Sequence, residues 1–418
     1  MSIVSIICFI SFSLLLFSFL KKGTDIFSPA RLFILVWSFA IGLTDLKLSG
    51  YQFTWSFYSW FMLFLPLISV LVGMFVIYVI NQNKPVSTIN FTRSALNDSI
   101  INSNILFQAT LLLFIAFIVS YLVSYLVIGY VPLFTKYPGT SRVNWGIFGF
   151  GLFIQSFPSI IYFGALYLVI VKRNHLRKFI VSLIILASFI TYAFLLQRYY
   201  VVFAIIVSGI SLYYLSRIFN PRNVLIILVC LIAIMYSMTF VRFSTTIANY
   251  LYYTSRMKIS IKYAFVTEPY MYIVMNLENF AHAVEKLYRF TYGVYTFDFI
   301  FALTGIKHPL AEYLSLSDYP GLITGGYNTY TMFFVYYRDF GILGLGILPF
   351  MMGSAFSFSY YKMKQSPNIN SISVYAIFAF VILFSFFIPI VTFLHFIFNF
   401  FIIFIVTKLI ITKDNILG

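Results

Sequence analysis

Apolar runs about as long as a bilayer is thick dictate what this chain can become. Ile105 to Tyr130 and Phe179 to Leu195 approach or exceed the ~20 apolar residues that a helix, rising about 1.5 Å per residue, needs to cross the hydrocarbon core. Such runs recur along the whole chain, so lipid is its solvent. No water reaches that depth, so every backbone polar group has to be satisfied within the structure, and only helices or closed barrels achieve this. A barrel would show short segments of alternating polarity, which this sequence lacks. The fold class is therefore all-α, a polytopic integral membrane protein. A soluble domain carries about 25% charged residues. Here 9% are charged and 61% hydrophobic, too much apolar side chain for a soluble core to hide.

The hydropathy pattern gives about eleven spans, near residues 3–20, 30–46, 57–80, 105–130, 146–171, 179–197, 199–216, 224–241, 330–358, 371–389 and 391–411. Residues 1–241 form a bundle of about eight spans, 242–329 an external loop region carrying amphipathic helices, and 330–418 about three further spans, together one integrated domain. Phe179 to Ser216 is the ambiguous stretch: 38 residues interrupted only by Gln197-Arg198, with no Gly or Pro at the turn. As one straight helix it would reach about 57 Å, nearly twice the core thickness, so it is read as two spans. Met1 to Leu20 lacks the basic start and small-residue cleavage site of a signal peptide and reads as a retained first span.

Orientation follows from the basic connections Lys172–Lys178, Arg217–Asn223 and Lys362–Lys364, because cytoplasmic loops keep the excess of Lys and Arg. Alternation then leaves 47–56, 131–145, the turn at Arg198 and the segment from Arg242 to about Thr329 outside. Seven of the eleven acidic residues fall between Glu268 and Asp339. A long external segment that gathers the acids is where chemistry or recognition is expected. The net charge of +16 is scattered between spans, not interleaved with aromatics in one patch, which argues against nucleic acid. Cys8 and Cys230 fit neither a disulfide framework nor a metal site.

Three features of the second half could carry chemistry. Thr267-Glu268-Pro269 opens an amphipathic helix with Thr267 as cap, and its polar face carries Glu278, His282, Glu285 and Arg289 in one stripe. That stripe reads as a solvated face with intrahelical ion pairs in preference to a catalytic array. Lys307-His308-Pro309-Leu310-Ala311-Glu312, with Asp318 and the flexible Gly325-Gly326, offers His308 or Glu312 as a proton acceptor, with plain loop polarity as the alternative. Finally, Asn328-Thr329-Tyr330-Thr331 runs into Tyr337-Arg338-Asp339-Phe340-Gly341. Asn328 or Thr329 caps a helix whose start attracts anions, which places Arg338 and Asp339 about 12 Å inside the span. Charge at that depth is costly and points to function; an acid–arginine pair locking helices is the alternative. Arg142, Arg198, Arg242 and Arg256 mark other external positions, and several fixed guanidinium groups suit a pyrophosphate.

The stretch from Asn328 to Gly344, with Gly129-Tyr130-Val131-Pro132-Leu133-Phe134 at the exit of an earlier span, resembles the oligosaccharide repeat unit polymerases, the Wzy or O-antigen polymerase family. The layout of many spans with one large external loop in the second half is similar too. The resemblance implies a metal-independent glycosyltransferase of the bacterial cytoplasmic membrane, without cofactors, that polymerises undecaprenyl-diphosphate-linked repeats into O-antigen, capsule or exopolysaccharide. Its partners would be membrane lipid and the chain-length regulator and flippase of the same pathway. On this reading Arg338, Asp339, His308 and Glu312 are catalytic, and Arg142, Arg198, Arg242, Arg289, Asn328 and Tyr330 bind substrate. A lipid-linked oligosaccharide flippase or other transporter would show repeats, and none relates the two halves. An O-antigen ligase differs from a polymerase only in its acceptor.

Overall fold

The computed structural model describes residues 2–19, 21, 24–86, 101–142, 145–172, 174–216, 247–287, 289–314, 316 and 320–411. These are helical, with no strand among them beyond two isolated bridges, Ser49 with Met257 and Ile101 with Ile411. In chain order the helices are α1 (Ile3–Ser18), α2 (Pro29–Asp45), α3 (Phe57–Asn81), α4 (Ser103–Ile128), α5 (Pro138–Ser141), α6 (Phe150–Ile154), α7 (Phe157–Ile170), α8 (His175–Ala193) and α9 (Arg198–Leu215). Then follow α10 (Ile247–Thr254), α11 (Thr267–Lys286), α12 (Asp298–Thr304), α13 (Lys307–Tyr313), α14 (Phe334–Gln365), α15 (Ile369–Phe384) and α16 (Leu394–Leu409).

Among the described residues, six helical stretches are long and apolar enough to cross a membrane: Phe57–Asn81, Ser103–Phe134, Phe150–Ile170, His175–Ala193, Arg198–Leu215 and Phe334–Gln365. Three apolar helices are shorter, Ile3–Ser18, Ile369–Phe384 and Leu394–Leu409. The protein is a multi-pass helical membrane protein. The expected span at 224–241 and the basic connection Arg217–Asn223 lie outside the described residues.

Local chemistry sets the helix ends. The Ser2 hydroxyl accepts from the Val4 amide at 3.1 Å, that of Ser56 from the Ser59 amide at 3.2 Å, and the Asn102 side-chain Oδ1 from the Asn104 amide at 3.1 Å, each satisfying an orphan donor of a first turn. Gly129, left-handed at φ 82°, closes α4. The 179–216 stretch does break in two, between Ala193 and Arg198, and Leu196 takes the left-handed position at φ 57° in place of a glycine.

The described residues group into two compact units interleaved along the sequence. One comprises Met1–Val86, Ala248–Gln365 and Val381–Ile397. In it α14 runs along α3, and α1 lies against α2. Gly73 and Gly353 let the α3 and α14 backbones nearly touch: a Cβ on Gly73 would stand 2.1 Å from the Phe350 carbonyl oxygen, and one on Gly353 2.0 Å from that of Val70. At its other end α14 buries Lys364 against Asp25 at 2.9 Å. The second unit comprises Ser87–Ile247, Ser366–Phe380 and Phe398–Gly418. Its core is α7 packed by α4, α8 and α9, with Tyr162, Tyr167, Tyr192 and Tyr214 wholly enclosed.

Candidate functional site

The polar residues of the first unit gather on α11 and the chain that meets it. α11 already includes Thr267, the residue expected to cap it; the cap position is Val266, and no side chain caps it. A 3-10 segment, Ile261–Val266, runs straight into the helix, and the Thr267 amide bonds the Ala264 carbonyl. The apolar face packs as the period predicts, with Tyr270, Met271, Val274 and Met275 forming a core with Met257, against Leu43, Leu48 and Tyr51.

The opposite face is not the solvated stripe of intrahelical pairs read from the sequence. Glu278 is completely buried, and its partners come from 47–55, over two hundred residues away in sequence. Lys47 Nζ lies 2.5 Å from its Oε1, Gln52 Nε2 donates at 3.1 Å and Trp55 Nε1 donates to Oε2 at 2.8 Å. Tyr270 ties the same loop, donating to Gln52 Oε1 at 2.6 Å while accepting from the Leu48 amide at 3.0 Å. Burial pushes the Glu278 carboxyl above the ordinary carboxylate range, against the pull of Lys47, Trp55 and Gln52. The fold overrides the period here because the connection after α2 closes over the polar face. The signal available in sequence was Gln52 and Trp55, two donors in a short connection.

One and two turns on, the stripe continues differently. The Nδ1 of His282 lies 2.6 Å from the Gly321 carbonyl oxygen, and its ring meets Phe53 edge-on. Glu285 is exposed, and its Oε1 accepts from the hydroxyls of Ser56 and Ser59, each at 2.5 Å. Although partial burial pulls the other way, these hydroxyls and the Ser56 amide hold its carboxyl below the ordinary range. Arg289 follows the helix, exposed.

The chain returning toward α14 lies extended along α11. Asn279 Nδ2 donates to the carbonyls of Tyr327 at 2.8 Å and Thr329 at 3.0 Å, and the Thr329 hydroxyl bonds Asn276. This corrects the expected cap: 328–331 is not a helix start, because α11 claims its polar groups, and α14 starts at Phe334. Asn328 is exposed. Tyr330 is buried, its ring stacked on Phe334 at 3.8 Å and its hydroxyl donating to Pro320 at 2.8 Å.

Arg338 and Asp339 therefore sit in the first turns of α14, not eight or nine residues inside it. Both are buried. Gly341, at φ 61° and ψ −141°, breaks the helix just beyond them, and the Phe290 ring fills the space where a Cβ would stand. Asp339 organises the 291–296 loop: it accepts from the Thr291 hydroxyl, from the Tyr295 amide at 3.3 Å and from the Thr296 amide at 2.6 Å. The Thr291 and Tyr292 amides donate back to the carbonyls of Arg338 and Asp339, each at 3.1 Å. The loop thereby sets the Tyr295 ring under the Arg338 guanidinium, 3.4 Å from the ring centroid. The anticipated acid–arginine helix lock is not the role of Asp339, which clamps a loop.

The remaining candidates are dispersed. His308 lies within α13, and Glu312 is exposed in its last turn. Lys307 at the start of α13 pairs with Asp298 at 2.8 Å. Asp318 and Arg242 fall outside the described residues. In the second unit Arg142 follows α5 and Arg198 is the first residue of α9, both half-buried.

No protein-family model, no curated protein and no solved structure matches this chain.

Proposed function

We propose that this protein polymerises polyprenyl-diphosphate-linked oligosaccharide repeats at the outer face of a bacterial cytoplasmic membrane, with about eleven spans and the 242–329 segment outside. The observation that carries the reading is the fixed guanidinium of Arg338, held over Tyr295 by the Asp339 clamp at one end of a 32-residue apolar helix. A transferase that expels a lipid diphosphate needs a cation at membrane level whose position costs no reorganisation when charge develops. Arg338 meets that need from a loop-braced turn, and the polar groups along α11 supply hydrogen-bonding surface for a glycan.

The growing glycan would leave its lipid diphosphate and join the terminal sugar of an incoming unit. Arg338 would serve the diphosphate, and a chain-length regulator and flippase would be the protein partners. Glycan gel analysis of a deletion strain tests this reading against its rivals. A single repeat on the lipid anchor, restored to a ladder by the wild-type gene, supports a polymerase. Loss of all surface glycan refutes it in favour of a flippase or ligase.

A further inference from the structure

His282 and Glu285 lie one turn apart on α11, and each is oriented by a partner that fixes one side of it. A carbonyl oxygen only accepts, so the 2.6 Å contact with Gly321 requires the proton of a neutral His282 to sit on Nδ1. The other ring nitrogen, Nε2, is then a lone pair, and among the described residues nothing donates to it. The carbonyl is itself placed with care: Gly321, left-handed at φ 76°, packs so close to α11 that a Cβ there would stand 3.2 Å from Ala283 Cα. Tyr330 bonding Pro320 and the Ile323 amide donating to Asn279 at 3.2 Å hold the same strap on either side.

Glu285 is anchored from the opposite side. Both serine hydroxyls approach the single oxygen Oε1, and the residue is exposed, so the carboxylate keeps acceptor capacity toward the outside. Ser56 is also the cap of α3, which ties this anchor to a membrane-length helix. The Tyr337 hydroxyl bonds the Val284 carbonyl at 3.0 Å, so the residue next to Arg338 is joined to α11 between the two acceptors.

We propose that His282 and Glu285 form the acceptor-sugar site: His282 Nε2 takes the proton of the attacking hydroxyl, and Glu285 accepts a hydrogen bond from a neighbouring hydroxyl of the same sugar. This rests on the polymerase reading and replaces His308 and Glu312 as proton acceptor. In the step, the acceptor oxygen forms a bond to the anomeric carbon of the donor glycan. The bond from that carbon to the diphosphate oxygen breaks, its electron pair leaves with the diphosphate, and the hydroxyl proton moves to Nε2.

His282→Asn separates catalysis from structure, because the asparagine amide can still donate to Gly321 while nothing replaces Nε2. In the complemented deletion strain, His282→Asn at wild-type protein level reduces polymer by about 10²–10⁴-fold, the range for a lost general base, leaving single-repeat glycan. With purified protein and lipid-linked repeats, kcat falls while the KM for the repeat holds. Glu285→Gln, at an exposed position, lowers output by at least about tenfold, as for a lost hydrogen bond to a charged acceptor. A full ladder in His282→Asn overturns the inference. Should His282→Asn fail to accumulate, a full ladder in Glu285→Gln overturns it instead. If the wild-type gene restores no ladder, the polymerase reading itself has failed, a result visible without any variant.

Discussion

Replacing Lys47 by methionine isolates the energetics of the buried Glu278 cluster. The change removes the ammonium 2.5 Å away and leaves a fully buried carboxylate with the neutral donors Trp55 and Gln52. The cheapest response is protonation. An ordinary glutamate titrates at about 4.3, so binding a proton at pH 7 costs at most about 3.7 kcal/mol, at about 1.36 kcal/mol per pH unit. The sign follows from burial, which already holds this carboxyl above its ordinary value. A raised folded-state pKa leaves stability intact below the unfolded value and removes it as pH rises toward the folded one. The Lys47→Met penalty is therefore largest near pH 7 and shrinks as the pH is lowered, by at most about 1.4 kcal/mol per unit. Glu278→Gln behaves differently. It strands a lysine whose side chain is 25% exposed and can rehydrate, so its cost is about 1–3 kcal/mol, and it does not grow as the pH rises, because the raised carboxyl it removes already loses stability in that direction. Unfolding of the purified protein in nanodiscs at pH 5, 6 and 7 reads both. A Lys47→Met penalty flat with pH, or one smaller than that of Glu278→Gln at pH 7, refutes the reasoning.

Other changes test other joints. Gly73→Ala and Gly353→Ala each drive a methyl into a facing carbonyl and should cost about 1–3 kcal/mol or more, seen as reduced folded protein. Gly346→Ala, with nothing within 4 Å, should be neutral or slightly stabilising. Asp339→Asn presents an amide to the Tyr295 and Thr296 amides, so it should release the loop at about 1–3 kcal/mol and lose the glycan ladder with Arg338→Ala. Single cysteines at Tyr313 and Lys362 should label from outside and inside respectively, and the reverse pattern would sink the orientation.

The membrane helices were legible because run length is set by bilayer thickness, and the break between α8 and α9 was legible from length alone. Leu196 shows why no turn residue announced it: tertiary packing holds a leucine where a glycine would be cheaper. The polar face of α11 misled because periodicity records which residues share a face, not what folds over it; Lys47, Gln52 and Trp55 arrive from across the sequence. The cap proposed at Asn328 failed for the same reason, since Asn276 and Asn279 engage that strap before it can turn into helix. Arg338 and Asp339 stood out because buried charge in an apolar chain is rare, but the loop clamped by Asp339 becomes visible only once 291–296 is in place.

The break at Gly341 has a mechanical meaning. Arg338 belongs by sequence to the long helix, yet its backbone is fastened to the 291–292 amides, and the regular hydrogen-bond ladder is interrupted three residues later. Tilting or sliding of the membrane part of α14 is absorbed at that joint as a change of one residue's dihedral angles instead of being transmitted to the guanidinium. On the polymerase reading proposed above, the guanidinium that meets the diphosphate of a lipid-linked substrate would thus stay still while the helix beneath it yields.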